Sequence, residues 1–336
     1  MKLLSIDGGG IKGLYSAVVL EYIEKKYGLR IIDHVDIISG TSIGGIVALA
    51  LAAGKRPKEI IEFLVKKGPI IFPNEGINKY FNFLKSLFFS KYNNIELKKA
   101  CIEFFTEKVT LKDLYELDHP KRKRNQKLGV CIPSVNLSTG KNKVFKTPHS
   151  VELINDKKYK LWEVALATSA APYYLPIFRL EKEFRKETYI DGGLWSNNPS
   201  EVALTEALTY YNKESNRNSI DKIELLSIGN VNESNEKVPK LLNRGFIPWN
   251  LKLISLLFDC QSQSTHNIID LLFRQNKWNY IRIEHLNTKI KGISLDSTNS
   301  KSLNSIQELA MSDISQFTSS GSEIDRKLKR FFELEE

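Results

Sequence analysis

Apolar residues fall along this chain in two rhythms. Short runs with little alternation occur at 2–6 (KLLSI), 35–38 (VDII), 128–135 (LGVCIPSV) and 223–228 (IELLSI). Runs of that kind predict strands buried on both faces, as in a parallel sheet covered by helices. Further short strands are predicted at 143–145, 188–190 and 279–283. Between them, apolar positions recur at helical spacing over 14–27, 43–53, 57–68, 94–107, 161–170, 199–212, 249–258, 261–275, 302–317 and 322–333. Gly28 sits where the first helix should stop, and Pro57 and Pro199 sit where helices should start. Strands alternating with helices predict an α/β fold of three α/β/α layers, with a mostly parallel central sheet flanked by helices. No repeat or long low-complexity linker divides residues 1–336, so one domain is expected, with surface loops at 213–221 and 232–240.

Composition narrows the class. With 42% hydrophobic and 26% charged residues the chain has the make-up of a packed protein, not a disordered one. Three widely spaced cysteines, Cys101, Cys131 and Cys260, offer neither CxxC metal spacing nor a disulfide framework, and predict a reducing compartment. A strand beginning at Lys2 leaves no room for a secretory leader, and the longest apolar run, 46–53, falls far short of the ~20 residues that span a bilayer. A cytoplasmic chain is therefore expected. The net charge of +10 favours anionic partners: nucleic acid, nucleotides or an anionic membrane face. Charge does not choose among them.

Three motifs carry candidate chemistry. IDGGGIKG at 6–13 places Gly8, Gly10 and Gly13 at G-x-G-x-x-G spacing between a strand and a helix. That spacing suits a dinucleotide, yet no strand ending in an acid follows at the required distance, and no Gly-Lys-Ser/Thr marks a P-loop. Unshielded glycine N–H groups at a helix N-terminus also suit the oxyanion of an ester under attack. GTSIG at 40–44 matches the G-x-S-x-G nucleophile elbow, which would project Ser42 from a strand end. Its base could be a histidine, and five are present, at 34, 119, 149, 266 and 285, none in a distinctive setting. It could equally be Asp191, which ends a short strand in YIDGGLWSNNPS at 189–200, where Gly192 and Gly193 leave room to approach a serine.

Together, DGGGIKG, GTSIGG and DGGLWSNNP resemble the patatin-like phospholipase family, with ATSAAPYYLP at 167–176 and WNYIRIEH at 278–285 as secondary likenesses. The resemblance covers most of the chain and implies a patatin-like fold. It implies a Ser42–Asp191 dyad without histidine, an oxyanion hole at Gly8, Gly9 and Gly10, and no metal or cofactor. Where the family often has arginine this chain has Lys12, which keeps the charge but loses the planar fork. The implied reaction is hydrolysis of phospholipid acyl esters through an acyl-serine. Compact bacterial members of this make-up resemble antiphage effectors switched on by a cyclic di- or trinucleotide, which implies such an activator, a homo-oligomer, and work at the inner membrane face.

Two stretches bear on lipid access. Ile77, Tyr80, Phe81, Leu84, Leu87 and Phe88, flanked by Lys79, Lys85 and Lys91, predict a basic amphipathic helix over 77–91, either a lid, a contact with anionic lipid or a packing helix. The basic run HPKRKRNQK at 119–127 reads as a solvated loop or a headgroup contact. Besides a lipase, two readings stay open: a nucleotide-binding module using the first glycine loop, and a non-catalytic scaffold.

Overall fold

The structure, a computed structural model, describes residues 1–73, 89–117, 127–182, 185–211, 222–231, 246–285 and 293–334. Most of the 77–91 helix, the 119–127 run and the two polar loops lie outside those residues. The chain opens β1 (Lys2–Ile6), α1 (Gly13–Tyr27), β2 (Ile37–Gly40), α2 (Ile43–Ala52) and α3 (Pro57–Ile71). It continues through β3 (Gly129–Asn136), β4 (Lys141–Lys146), β5 (Phe178–Lys182), β6 (Arg185–Asp191), β7 (Glu224–Val231) and β8 (Asn279–His285). The strands form one sheet in the order β5-β6-β3-β2-β1-β7-β8, with β4 also paired to β3.

Period-two alternation sorts the strand residues between two covering layers. Leu4, Ile6, Ile38, Val130, Ile132, Leu226 and Ile228 join the core that holds α1, α2 and α3. Their neighbours Leu3, Ile37, Cys131 and Leu225 face a second core with Val202, Ala203, Ile269 and Phe273. Both faces are dry, which is why the runs read as continuous. The sheet is parallel at its centre, through β3–β2–β1–β7–β8. Strands β4, β5 and β6 form an antiparallel flank.

That flank brings the site together. Cys131 pairs with both Ser39 of β2 and Lys146 of β4, while Ser134 pairs with both Lys143 of β4 and Asp191 of β6. A strand has two hydrogen-bonding edges, so β4 takes one edge of β3, and β2 and β6 share the other. Since β2 runs parallel to β3 and β6 antiparallel, their C-terminal ends point at each other. The last pairs, at Cys131 and Ser134, are three residues apart, about 10 Å along the strand. Ser42, just past the end of β2, and Asp191, closing β6, must meet in that gap.

Several elements differ from expectation. The predicted helices 249–258 and 261–275 are one helix, Phe246–Gln275. The helical period lapses at its middle because Gln261 and Ser262 face inward as polar residues, one accepting the Asn198 N–H and the other donating to Asp7 Oδ2. Strand β2 starts two residues later than expected, because Ile31–His34 form a 3-10 turn just before it. The helix expected at 199–212 runs as α-helix over Ser200–Glu206 and as π-helix over Ala207–Tyr211. Strand β5 and the short helix Leu111–Glu116 were not legible, being brief and rich in charge. Among the described residues no helix is long and apolar enough to cross a membrane.

Candidate active site

Ser42 leaves β2 in a turn that side chains rarely adopt, at φ 56° and ψ −125°. Its backbone N–H donates to Thr168 Oγ1 at 3.0 Å, and that hydroxyl in turn donates to the Pro133 carbonyl at 2.6 Å. Thr41 is tied down as well, through its hydroxyl to the Ser196 carbonyl at 2.5 Å. Such bonds hold the strain of the elbow in place. Gly44 makes the geometry possible: a Cβ there would lie 2.3 Å from the Ile6 carbonyl oxygen and 2.5 Å from that of Asp7. The first turn of α2 is thereby packed directly against the start of the glycine loop.

Ser42 Oγ donates to Asp191 Oδ2 at 2.6 Å, and Asp191 Oδ1 accepts the Gly193 N–H at 2.7 Å. The carboxylate is fully buried. Burial pushes its pKa up to about 7, against the opposing pull of the Ser42 hydroxyl and the Gly193 N–H. A carboxylate tuned there is a competent base near neutrality. The described histidines are occupied elsewhere. His149 bonds Thr147 and Glu206, His266 bonds Tyr280, His285 bonds Asp313, and His34 packs on Phe332; His119 lies outside the described residues.

Activity and stability should respond to pH with opposite signs. A base at Asp191 works only as the carboxylate, so a reaction begun at Ser42 by that base should speed up as pH climbs through about 7, falling about tenfold per unit below it. Stability runs the other way. The folded pKa lies above the ordinary 3.8, so the group's contribution is complete below about pH 4 and is lost as pH rises to about 7. The melting temperature of Asp191→Asn should therefore gain on the parent between pH 5 and pH 8. A flat rate profile over that range would contradict the assignment.

The three glycines divide their work. Gly8, expected as a donor to the oxyanion, gives its N–H to the Asn197 carbonyl at 2.9 Å, so that amide is spent on fixing the loop. Asn230 Nδ2 grips the Gly8 carbonyl at 2.6 Å, and Ile11 N–H goes to the Leu295 carbonyl at 2.8 Å. Among the described residues no acceptor takes the N–H of Gly9 or Gly10. Gly10 lines the same cavity as Ser42 and Asp191, whereas Gly9 and Lys12 line a separate polar recess with Asn197, Asn230 and Asp259. Two of the amides a bound phosphate would use are thus already taken.

The cavity holding Ser42 is otherwise apolar. Ile43, Ile46, Phe63, Leu64, Ile71 and Leu175 are among its walls, and its empty volume, mouth included, is about 680 Å³. That lining suits a hydrocarbon chain with its ester at the serine.

Asp7, first residue of the glycine motif, is clamped from below. Arg282 of β8 meets it in a fork, Nη1 to Oδ1 at 2.9 Å and Nη2 to Oδ2 at 2.7 Å, and Ser262 donates to Oδ2 at 2.8 Å. Sequence reasoning left Thr168, Asn197, Asn230 and Arg282 without a role. Three of them lie inside stretches quoted for the resemblance, but only the fold shows what each holds.

A family profile described as patatin-like phospholipase matches residues 4–204, over half of the chain. The chain belongs to the patatin-like phospholipase family. Its membership makes it a lipid ester hydrolase, and the elbow, the Asp-Gly-Gly turn and the glycine loop of this patatin-like enzyme all lie in the matched span. It is 34% identical over 254 residues to a protein of Vibrio cholerae serotype O1 named cGAMP-activated phospholipase, covering 72% of this chain and 67% of that one. A protein of the same name from Escherichia coli strain TW11681 is 32% identical, covering 99% of this chain and 92% of that one. Among solved structures, VipD from Legionella pneumophila is similar at 13% identity and a TM-score of 0.43, covering 93% of this chain and 67% of that one.

The patatin-like enzyme also has, among its described residues, one buried group with metal-ligand chemistry, Cys131, His149 and Glu206, whose ligand atoms lie within 4.8 Å of one another. Lys146 bonds the Glu206 carboxylate, and burial holds the Cys131 thiol protonated. The group lies away from the residues that line the cavity.

Proposed function

We propose that this enzyme cleaves the acyl esters of membrane phospholipids through a Ser42–Asp191 dyad. The observation that carries the reading is the 2.6 Å hydrogen bond between Ser42 Oγ and a buried carboxylate at the wall of an apolar cavity. Ser42 attacks the ester carbonyl as Asp191 takes its proton, and the Gly10 N–H, at the wall of the same cavity, receives the oxyanion. The lysolipid leaves with that proton, and water, deprotonated by Asp191, releases the fatty acid.

The names of its relatives support a cyclic nucleotide as the switch, and the net charge of +10 suits both an anionic messenger and an anionic bilayer. A nucleotide-switched attack on membrane lipid would serve antiphage defence. The enzyme would then act as a cytoplasmic homo-oligomer, peripheral at the inner membrane face when active. One assay tests these parts. Purified protein is given vesicles of bacterial phospholipid with and without cGAMP, and released fatty acid and bound nucleotide are measured. Release that depends on cGAMP supports phospholipid hydrolysis under a nucleotide switch. Equal release in both arms, with no nucleotide bound in calorimetry, leaves a constitutive lipase and removes the switch.

A further inference from the structure

The loop that follows β8 touches the oxyanion motif and a distant part of the chain at once. Its Leu295 carbonyl accepts the Ile11 N–H at 2.8 Å, and a Cβ on Gly10, where φ is +58°, would stand 2.2 Å from that same oxygen. The Leu295 side chain lines the cavity beside Ser42 and Asp191. Leu295 is therefore the backstop against which Gly10 is set.

The next residue holds the backstop. Asp296 Oδ2 accepts from Lys91 Nζ at 2.7 Å and from Tyr92 OH at 2.8 Å, while Oδ1 accepts from Ser294 Oγ at 2.8 Å. Ser294 and Ser297 close the turn through Ser294 N–H to Ser297 Oγ at 2.9 Å and Ser297 N–H to the Ser294 carbonyl at 3.1 Å. The Lys91 and Tyr92 backbone N–H groups dock in turn on the carbonyls of Tyr173 and Tyr174, at 2.7 and 2.9 Å. Tyr174 is itself a cavity wall. Burial works against charge on Asp296, but the bonds from Lys91, Ser294 and Tyr92 and the lysine's charge outweigh it, and the carboxyl is held below its ordinary range. One segment distant in sequence, 91–92, thus bonds this ionised side chain and is itself docked on 173–174, one residue from the carbonyl that sets the glycine loop.

We propose that Asp296 is a positioning residue for acyl transfer, fixing the Leu295 carbonyl and through it the Gly10 N–H relative to Ser42. The proposal rests on the dyad and oxyanion reading above and adds the residue that aligns it. A carboxylate suits the position because its charge faces the Lys91 ammonium in a largely buried setting; an amide could still bond the Ser294 hydroxyl, which accepts as well as donates, but would lose the ionic part of the bond with Lys91. A glycine loop displaced by a fraction of an ångström stabilises the oxyanion poorly while the apolar cavity still binds the acyl chain.

The test compares Asp296→Asn and Tyr92→Phe with the parent enzyme, with cGAMP present. For each, kcat and KM are measured on a fluorogenic phospholipid, with the rate of Ser42 phosphonylation by a fluorophosphonate and the melting temperature. Asp296→Asn should lose about 10- to 100-fold in kcat with KM within about twofold, and phosphonylation should slow in step, since it too places negative charge on an oxygen in the hole. Tyr92→Phe, which keeps the lysine and removes one hydroxyl, should show the same split to a smaller degree and guards against a variant that does not fold. A lower melting temperature with parental kcat and phosphonylation would overturn the proposal and leave Asp296 a structural residue. Loss expressed only in KM would overturn it too. If Ser42→Ala retained activity the dyad reading itself would fall, an outcome separate from any result at Asp296.

Discussion

Asparagine at position 191 is expected to cut phospholipid turnover by roughly 10⁴-fold or more, and alanine at position 42 to remove it. The two changes should differ under a fluorophosphonate probe. Ser42→Ala has no oxygen to phosphonylate and stays dark. Asp191→Asn keeps Ser42 in its elbow, because the serine N–H is held by Thr168 and not by the carboxylate. It should therefore label, but slowly, having no base for the proton. An asparagine also cannot accept from both Ser42 Oγ and Gly193 N–H on separate oxygens as the carboxylate does. Full labelling speed in Asp191→Asn would point to another base. Labelling that survives Ser42→Ala would point to another nucleophile.

The second large effect is on stability. Removing Arg282 strands Asp7, which is 2% exposed and depends on the guanidinium fork for its charge. Breaking a buried pair from one side costs on the order of 3–5 kcal/mol. Arg282→Met should lower the urea midpoint accordingly, and activity should fall with it, since Asp7 begins the glycine loop. Adding Asp7→Asn to that variant removes the stranded charge and keeps a partner for Ser262. The double variant should recover much of the stability, a coupling that a double-mutant cycle reads directly. Stability of Arg282→Met equal to the parent would contradict the clamp.

Much of the fold was readable in the chain because both sheet faces are buried. Strands such as KLLSI and ELLSI lack a wet side, so the parallel centre announced itself. Ser42 and Asp191 were legible for a different reason: each ends a strand in a turn that needs small neighbours, and such turns leave glycine in the sequence. Gly8 was assigned the wrong bond because three adjacent glycines look alike on paper. Only the Asn197 carbonyl, brought from 189 residues further on, separates Gly8 from the other two. Asp296 and Arg282 left no local signal, as a buried ion pair reads like any charged residue until its partner is known. The continuous helix Phe246–Gln275 was cut in two because its inward polar residues serve Asp7 and Asn198 instead of a hydrophobic core.

The head-on meeting of β2 and β6 makes β3 a ruler. Ser42 and Asp191 are 149 positions apart in the chain, yet their spacing is measured by three residues of another strand. A single residue inserted or deleted between Cys131 and Ser134 would move one strand end by about 3.3 Å against the other and turn the side chains beyond it to the opposite face. Each motif would remain letter-perfect in such a chain while nucleophile and base no longer touched. Activity in this fold is thus encoded as much in the length of a strand that carries neither group as in the motifs themselves.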